Sequence, residues 1–250
     1  MQVITVTSLS GGQGKTTVTL LLSRLLARTK KVLIGDADPQ SNLTFYVGHQ
    51  VEPQSPTFLE LLTGEVEPQH SVYSTKYDNL YIVPSDGAFT KAQDYLANSG
   101  MGAAVLRQRL KKVSELFDYA VIDSPPQRSQ ICMTAMGAAD YLLIPVEAST
   151  KGVNSLLRTL EMQQQLEEVG AFSGKVLGII PFRDRWFGRS QSTDSRESIE
   201  AMREIATGIT VFPSILESEQ YKKAVRMGTM LSEAGFPELE YPLLKVIDEL

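Results

Sequence analysis

Cysteine is almost missing from this chain. The one residue, Cys132, among 250 excludes a disulfide framework, a Cys-rich zinc site and an iron–sulfur cluster built from one chain's thiolates. Histidine is nearly as scarce, and His49 and His70 lie far apart among polar and proline-containing neighbours, without metal-ligand spacing. Long apolar runs are absent too. None approaches the roughly 18 residues that cross a bilayer, and the opening MQVITVT lacks signal-peptide architecture. Positive charge is in deficit: 24 Lys and Arg stand against 29 Asp and Glu, a net −5, which excludes a surface coated in basic residues but leaves room for a local patch. A soluble, cytoplasmic chain is expected, and a 42% hydrophobic composition at this length suits one large domain over residues 1–250.

What is present alternates. Short β-branched or apolar runs recur at Val3–Thr7, Val32–Gly35, Leu80–Val83, Ala120–Asp123, Leu142–Val146, Val176–Ile180 and Ile209–Phe212. Several are apolar on both faces, as strands of a covered parallel sheet must be. Helical patterns separate most of them. Val18, Leu21, Leu22, Leu25 and Leu26 line one face; Leu106, Leu110, Val113 and Phe117 a second; Val153, Leu156, Leu157 and Leu160 a third. The pattern predicts an α/β fold, a doubly wound, mainly parallel sheet flanked by helices. His49–Tyr77, punctuated by Pro53, Pro56 and Pro68 around a short helical stretch at Phe58–Leu62, reads as a surface excursion.

Between the first strand and the first amphipathic helix lies Ser10-Gly11-Gly12-Gln13-Gly14-Lys15-Thr16-Thr17. Glycines let successive backbone N–H groups turn inward around an anion, the helix start adds its positive dipole end, and Lys15 supplies a point charge for the β/γ-phosphates. Thr16 offers a hydroxyl to Mg²⁺. Leu9 stands where the common phosphate-loop pattern has glycine, so the loop is not a standard Walker A. Asp123 closes a strand beside the loop, placed to serve Mg²⁺ through a water or, more plainly, to cap a turn. Asp36 and Asp38 are one residue apart on an extended segment and face opposite ways. One division of labour gives Asp36 the Mg²⁺ shell and Asp38 the attacking water.

Together, Gly-Gly-Gln-Gly-Lys-Thr-Thr, Asp36-Ala-Asp-Pro-Gln-Ser-Asn42 and Ile122-Asp-Ser-Pro-Pro126 resemble the ParA/MinD group of deviant Walker ATPases. The likeness runs over nearly the whole chain, through Leu142–Val146 to Val211-Phe212-Pro213. It implies an ATPase of slow intrinsic turnover, with ATP and Mg²⁺ as cofactors. Residues 10–17 would hold phosphate, Thr16 and Asp123 the metal, and Asp38 the hydrolytic water. Phe182, Arg183 and Pro213 would lie around the adenine. The resemblance also implies a homodimer with ATP sandwiched at its interface.

One position departs from the group. Its signature lysine, which reaches the partner's phosphates, is replaced here by Ser10, which carries no charge. Lys151, in the loop after Leu142–Val146, is the candidate substitute, and Arg128 the rival. A serine at this place is similar to the carboxysome-positioning branch. That likeness implies nonspecific double-stranded DNA on the nucleoid and a McdB-like adaptor on the cargo as partners. For DNA the sequence offers Arg183, Arg185 and Arg189 around Trp186 and Phe187, and Lys222, Lys223 and Arg226 at helical spacing. The same residues also fit an ordinary solvated face. A plasmid or chromosome partition ATPase and a metabolic P-loop synthetase or kinase are the other readings. A membrane-bound member is disfavoured by the acids and prolines of the C-terminal segment from Pro237 to Leu250.

Overall fold

The computed structural model describes all residues, Met1–Leu250. In chain order it contains β1 (Gln2–Val6), α1 (Lys15–Ala27), β2 (Val32–Asp36), α2 (Asn42–Val47), α3 (Phe58–Thr63), β3 (Tyr73–Ser74), β4 (Leu80–Val83), α4 (Ala92–Asn98), α5 (Gly102–Lys111) and β5 (Tyr119–Asp123). The second half adds α6 (Gln130–Ala138), β6 (Tyr141–Glu147), α7 (Thr150–Glu168), β7 (Lys175–Asp184), β8 (Trp186–Phe187), β9 (Ser190–Gln191), α8 (Thr193–Ile205), β10 (Ile215–Leu216), α9 (Glu219–Met227) and α10 (Tyr241–Ile247). Eight strands form one sheet in the order β10-β7-β6-β1-β5-β2-β4-β3, parallel except for the edge strand β3. The doubly wound α/β architecture expected from the alternation is present.

Two apolar layers account for it. On one face, Val18, Leu21, Leu22 and Leu25 of α1 pack with Leu43 of α2, Val225 of α9 and Leu243 of α10 against Ile4, Val6 and Ile34. On the other, α3 to α6 cover Val3, Leu33 and Ile122, while α7 and α8 cover Ile144 and Ile179. Strands sandwiched this way lose water from both sides, which is why their sequences are apolar without alternation.

Three local readings change. Ile209–Phe212 forms only a single bridge, Val211 to Ile179, and the edge strand is instead Ile215–Leu216. The second helical face is split, because α5 stops at Lys111 and Val113 and Phe117 are buried from the turns that follow. Leu157, placed on the third face, is 41% exposed. The excursion does hold its helix: α3 starts at a capping box in which Thr57 and Glu60 satisfy each other's backbone ends.

β1 is the strand at which the winding reverses, with β5 on one side and β6 on the other. Crevices beyond the carboxyl ends of strands at such a point are where open α/β sheets bind ligands. Registers bring three of those ends level: Val6 pairs with Asp123, and Asp123 with Asp36.

Candidate nucleotide site

The loop after β1 is shaped by Gly12 at φ 85° and Gly14 at φ 92°, conformations that a side chain resists. Gly14 has a second constraint, since a Cβ there would stand 2.7 Å from the Phe182 ring. Lys15 opens α1 and is 7% exposed; its ammonium donates to the carbonyls of Ser8 (3.1 Å) and Ser10 (3.0 Å), folding the loop around itself. Burial pulls its pKa down, against the opposing pull of Asp123 and Asp38.

The Thr16 hydroxyl donates to Oδ2 of Asp123 at 2.7 Å. Oδ1 of the same carboxylate is buried without a partner. Burial first, and then the Asp36 carboxylate in the next strand, push the Asp123 pKa up to about 8. A hydroxyl and an under-satisfied carboxylate beside a phosphate loop are oxygen donors that fit Mg²⁺, whose charge would reverse that shift. Asp36 sits differently. It is fully buried, accepts from the Thr44 amide (2.8 Å) and hydroxyl (2.7 Å) through Oδ2, and from the Asp38 amide (3.3 Å) through Oδ1. Its carboxylate anchors the turn from β2 into α2. Desolvation raises its pKa to about 6.

These elements enclose a cavity of about 320 Å³ lined by the loop from Gly11 to Thr17 and by Asp38, Gln40, Asn42, Tyr46, Pro126, Phe182 and Arg183. Asp38 accepts from the Gln40 amide at 3.0 Å and keeps its carboxylate at the cavity wall. Phe182 and Arg183 are among the lining residues. Ser10 contributes only its carbonyl, to Lys15, and Pro213 is not among the lining residues. Gln40 and Asn42 belong to the Asp36–Asn42 motif, whereas nothing in a lone tyrosine on a short helix marks Tyr46 as a cavity residue.

The segment after β6 leans on the loop. Gln13, fully buried, accepts the Glu147 amide at 2.8 Å through Oε1, while its Nε2 has no partner. Ser149 caps α7, and from its first turn Lys151 Nζ donates to the Gly11 carbonyl at 3.2 Å. Arg128 instead bonds Gln165, at 2.5 Å. Arg183, in the left-handed region at φ 58°, pairs with Glu147 at 3.3 Å.

The basic groups proposed for DNA do not stand free as a set. Arg185 pairs with Glu217 and Lys222 with Glu219, each at 2.6 Å. With Arg183 engaged by Glu147, three of the six cations already face a carboxylate, and Arg189, Lys223 and Arg226 make no ion pair.

A family model described as an AAA domain matches residues 1–169. The maintenance of carboxysome distribution protein A (McdA) of Gloeothece citriformis is 58% identical over 250 residues, all of this chain and 97% of the relative. The chain belongs to the McdA family. A solved McdA from Cyanothece, the D38A variant in complex with ATP, is 58% identical and superposes with a TM-score of 0.99, covering 100% of this chain and 96% of that one. The septum-site protein MinD of Pyrococcus horikoshii with Mg-ADP shares the fold, at 21% identity and a TM-score of 0.75 over 99% of this chain and 95% of that one. Within the McdA family, then, this member has a ParA-like P-loop with serine in place of the signature lysine and a lysine, Lys151, seated on the loop from outside.

Proposed function

We propose that the protein is an ATP-dependent dimerising switch that binds nonspecific nucleoid DNA and positions carboxysomes, with hydrolysis stimulated by a McdB-like adaptor on the cargo. The observation that carries the nucleotide chemistry is the Thr16–Asp123 pair, in which Thr16 belongs to the phosphate loop and Asp123 Oδ1 has no hydrogen-bond partner. Bound Mg²⁺ would supply charge neutralisation of the phosphates. The chain's own residues do the rest: Lys15 and the loop amides hold the β/γ-phosphates, and Phe182 and Arg183 wall the base end. Asp38, beside the open groove that runs to Pro126 and Arg128, orients the water. Lys151 already sits on Gly11, where a small movement brings its charge to phosphates across a dimer interface; this makes it the substitute for the absent lysine. DNA contact falls to Arg189, Lys223 and Arg226, with Arg183, Arg185 and Lys222 contributing once their carboxylates are displaced. No helix is long and apolar enough to cross a membrane.

The test is light scattering of the purified protein with ADP and then ATP, with and without nonspecific duplex DNA. Dimers in ATP that bind DNA and release it in added salt are expected. A species indifferent to nucleotide would overturn the switch, and salt-insensitive or absent DNA binding by the dimer would remove the nucleoid from the reading.

A further inference from the structure

Helix α7 grips the phosphate loop, although none of its residues lines the nucleotide cavity. Lys151, Ser155 and Thr159 are spaced i, i+4 and i+8, so they form one stripe along the helix. Each meets the loop. Lys151 Nζ reaches the Gly11 carbonyl, the Ser155 hydroxyl lies 3.1 Å from that of Ser8, and Thr159 Oγ1 accepts the Leu9 amide at 3.1 Å. Ser8, Ser155 and Thr159 are fully buried. A hydroxyl inside a helix is ordinarily satisfied by a carbonyl one turn back, and Thr159 does donate to the Ser155 carbonyl at 2.7 Å. That spends its one hydrogen and leaves the oxygen as an acceptor for Leu9. The contacts with Ser8 and Leu9 therefore go beyond what the helix needs, and they join residues 147 and 150 positions apart.

Leu9 is the hinge of this arrangement. A glycine in its place, as in the common phosphate-loop pattern, would give the limb of the loop before Ser10 no side-chain anchor. Leu9 instead is 7% exposed and packs in an apolar cluster with Met162 and Leu166 of α7 and Cys132 and Met136 of α6. The carbonyls on either side of it, those of Ser8 and Ser10, hold the Lys15 ammonium at 3.1 and 3.0 Å. Fixing Leu9 thus fixes the seat from which Lys15 works. The helix is itself held in register at its start. Gly152 lies so close to the Glu147 carbonyl that a Cβ would clash, and the Glu147 amide is bonded to Gln13 of the loop.

We propose that Ser155 and Thr159 are positioning residues for nucleotide capture. They touch no phosphate; they hold the Ser8–Ser10 limb so that the Lys15 seat and the amides beyond it are arranged before the ligand arrives. This rests on the ATP site proposed above. A loop released from α7 has to be ordered by the nucleotide, and the cost of that ordering is subtracted from affinity. The same stripe carries Lys151, so one helix keeps the loop in shape and bears the cation assigned to the partner's phosphates.

The test compares two substitutions. Thr159→Val keeps the shape and removes the acceptor, whereas Thr159→Ser keeps the acceptor and removes only a methyl. Titration with a fluorescent MgATP analogue at low protein concentration, well below the melting temperature, reads the affinity of the folded monomer. The valine variant should bind about tenfold more weakly, the scale of one buried hydrogen bond, and the serine variant should stay within about threefold of the parent. Ser155→Ala, a milder change on the same stripe, should weaken binding about threefold, and it carries the test if Thr159→Val does not fold. A valine variant that melts earlier yet binds with the parental constant would mark a purely structural contact and overturn the proposal. A serine variant as impaired as the valine one would assign the effect to packing of the methyl and overturn it equally. Parental affinity in Ser155→Ala, where the valine variant is unfolded, would do the same. A parent that binds no analogue would instead refute the ATP site itself, and the positioning role with it.

Discussion

Replacing Asp36 by alanine separates two roles that a carboxylate beside a nucleotide can have. In the structure its oxygens hold the Thr44 amide and hydroxyl and the Asp38 amide, and all three residues are buried. Alanine leaves two backbone amides in a dry interior, each at about 1–3 kcal/mol. Against this, the substitution removes a desolvated charge that also raises the pKa of Asp123. The net expectation is a loss of about 2–4 kcal/mol in the free protein. At about 2–4 °C per kcal/mol for a chain of this length, the melting temperature should fall by about 5–15 °C. The assay is thermal unfolding in EDTA without nucleotide, repeated in MgATP. A melting temperature in EDTA within about 2 °C of the parent, coupled with loss of the stabilisation by MgATP alone, would refute the anchoring role and support the metal contact.

Other consequences are as open to measurement. Asp123 and Asp36 have folded pKa values of about 8 and about 6, above the ordinary 3.8, so the folded chain binds more protons than the unfolded one across that window. Their contribution to stability is full below about pH 4 and lost as pH rises through the folded values; the metal-free melting temperature should fall from pH 6 to 8.5, and a parent with no slope, or an Asp123→Asn variant with the same slope, contradicts the assignment. Asp38→Ala should retain ATP and lose phosphate release by about 10²-fold or more, as measured by a coupled phosphate assay, whereas parental turnover would free Asp38 of the water-orienting role. Cys132 is buried and its thiol is pushed up to about 11, so the native protein at pH 7.5 should resist maleimide until denatured; rapid stoichiometric labelling would show that α6 opens.

Much of this was legible in the residues because it depends on neighbours in sequence. Runs apolar on both faces located six of the sheet strands, and Val18, Leu21, Leu22, Leu25 and Leu26 are all buried. The phosphate loop could be read because its glycines, lysine and threonine act as one contiguous device. What could not be read depends on contacts between distant segments. Arg185 looks like a free cation along the chain, yet Glu217, 32 residues further on, reaches it; the i,i+3 pair of Glu219 and Lys222 within α9 was local and within reach of the sequence. Ile209–Phe212 has the composition of a strand, but it passes the sheet with one bridge before Ile215–Leu216 pairs with β7. Asp36 and Asp123 both end strands beside the loop. Only the partners of Asp36 on α2 reveal that both its oxygens accept hydrogen bonds while Asp123 keeps one oxygen free.

The backbone at Arg183 is folded as though for glycine. At φ 58° an arginine carries about 1 kcal/mol of conformational penalty that a glycine would not, and a protein selected for robustness alone would shed it. A cation has been kept there at the rim of the cavity instead, steadied by Glu147. Stabilising this fold by relaxing its least comfortable backbone positions would therefore erode the nucleotide site first, and an engineer seeking a hardier version should leave that discomfort in place.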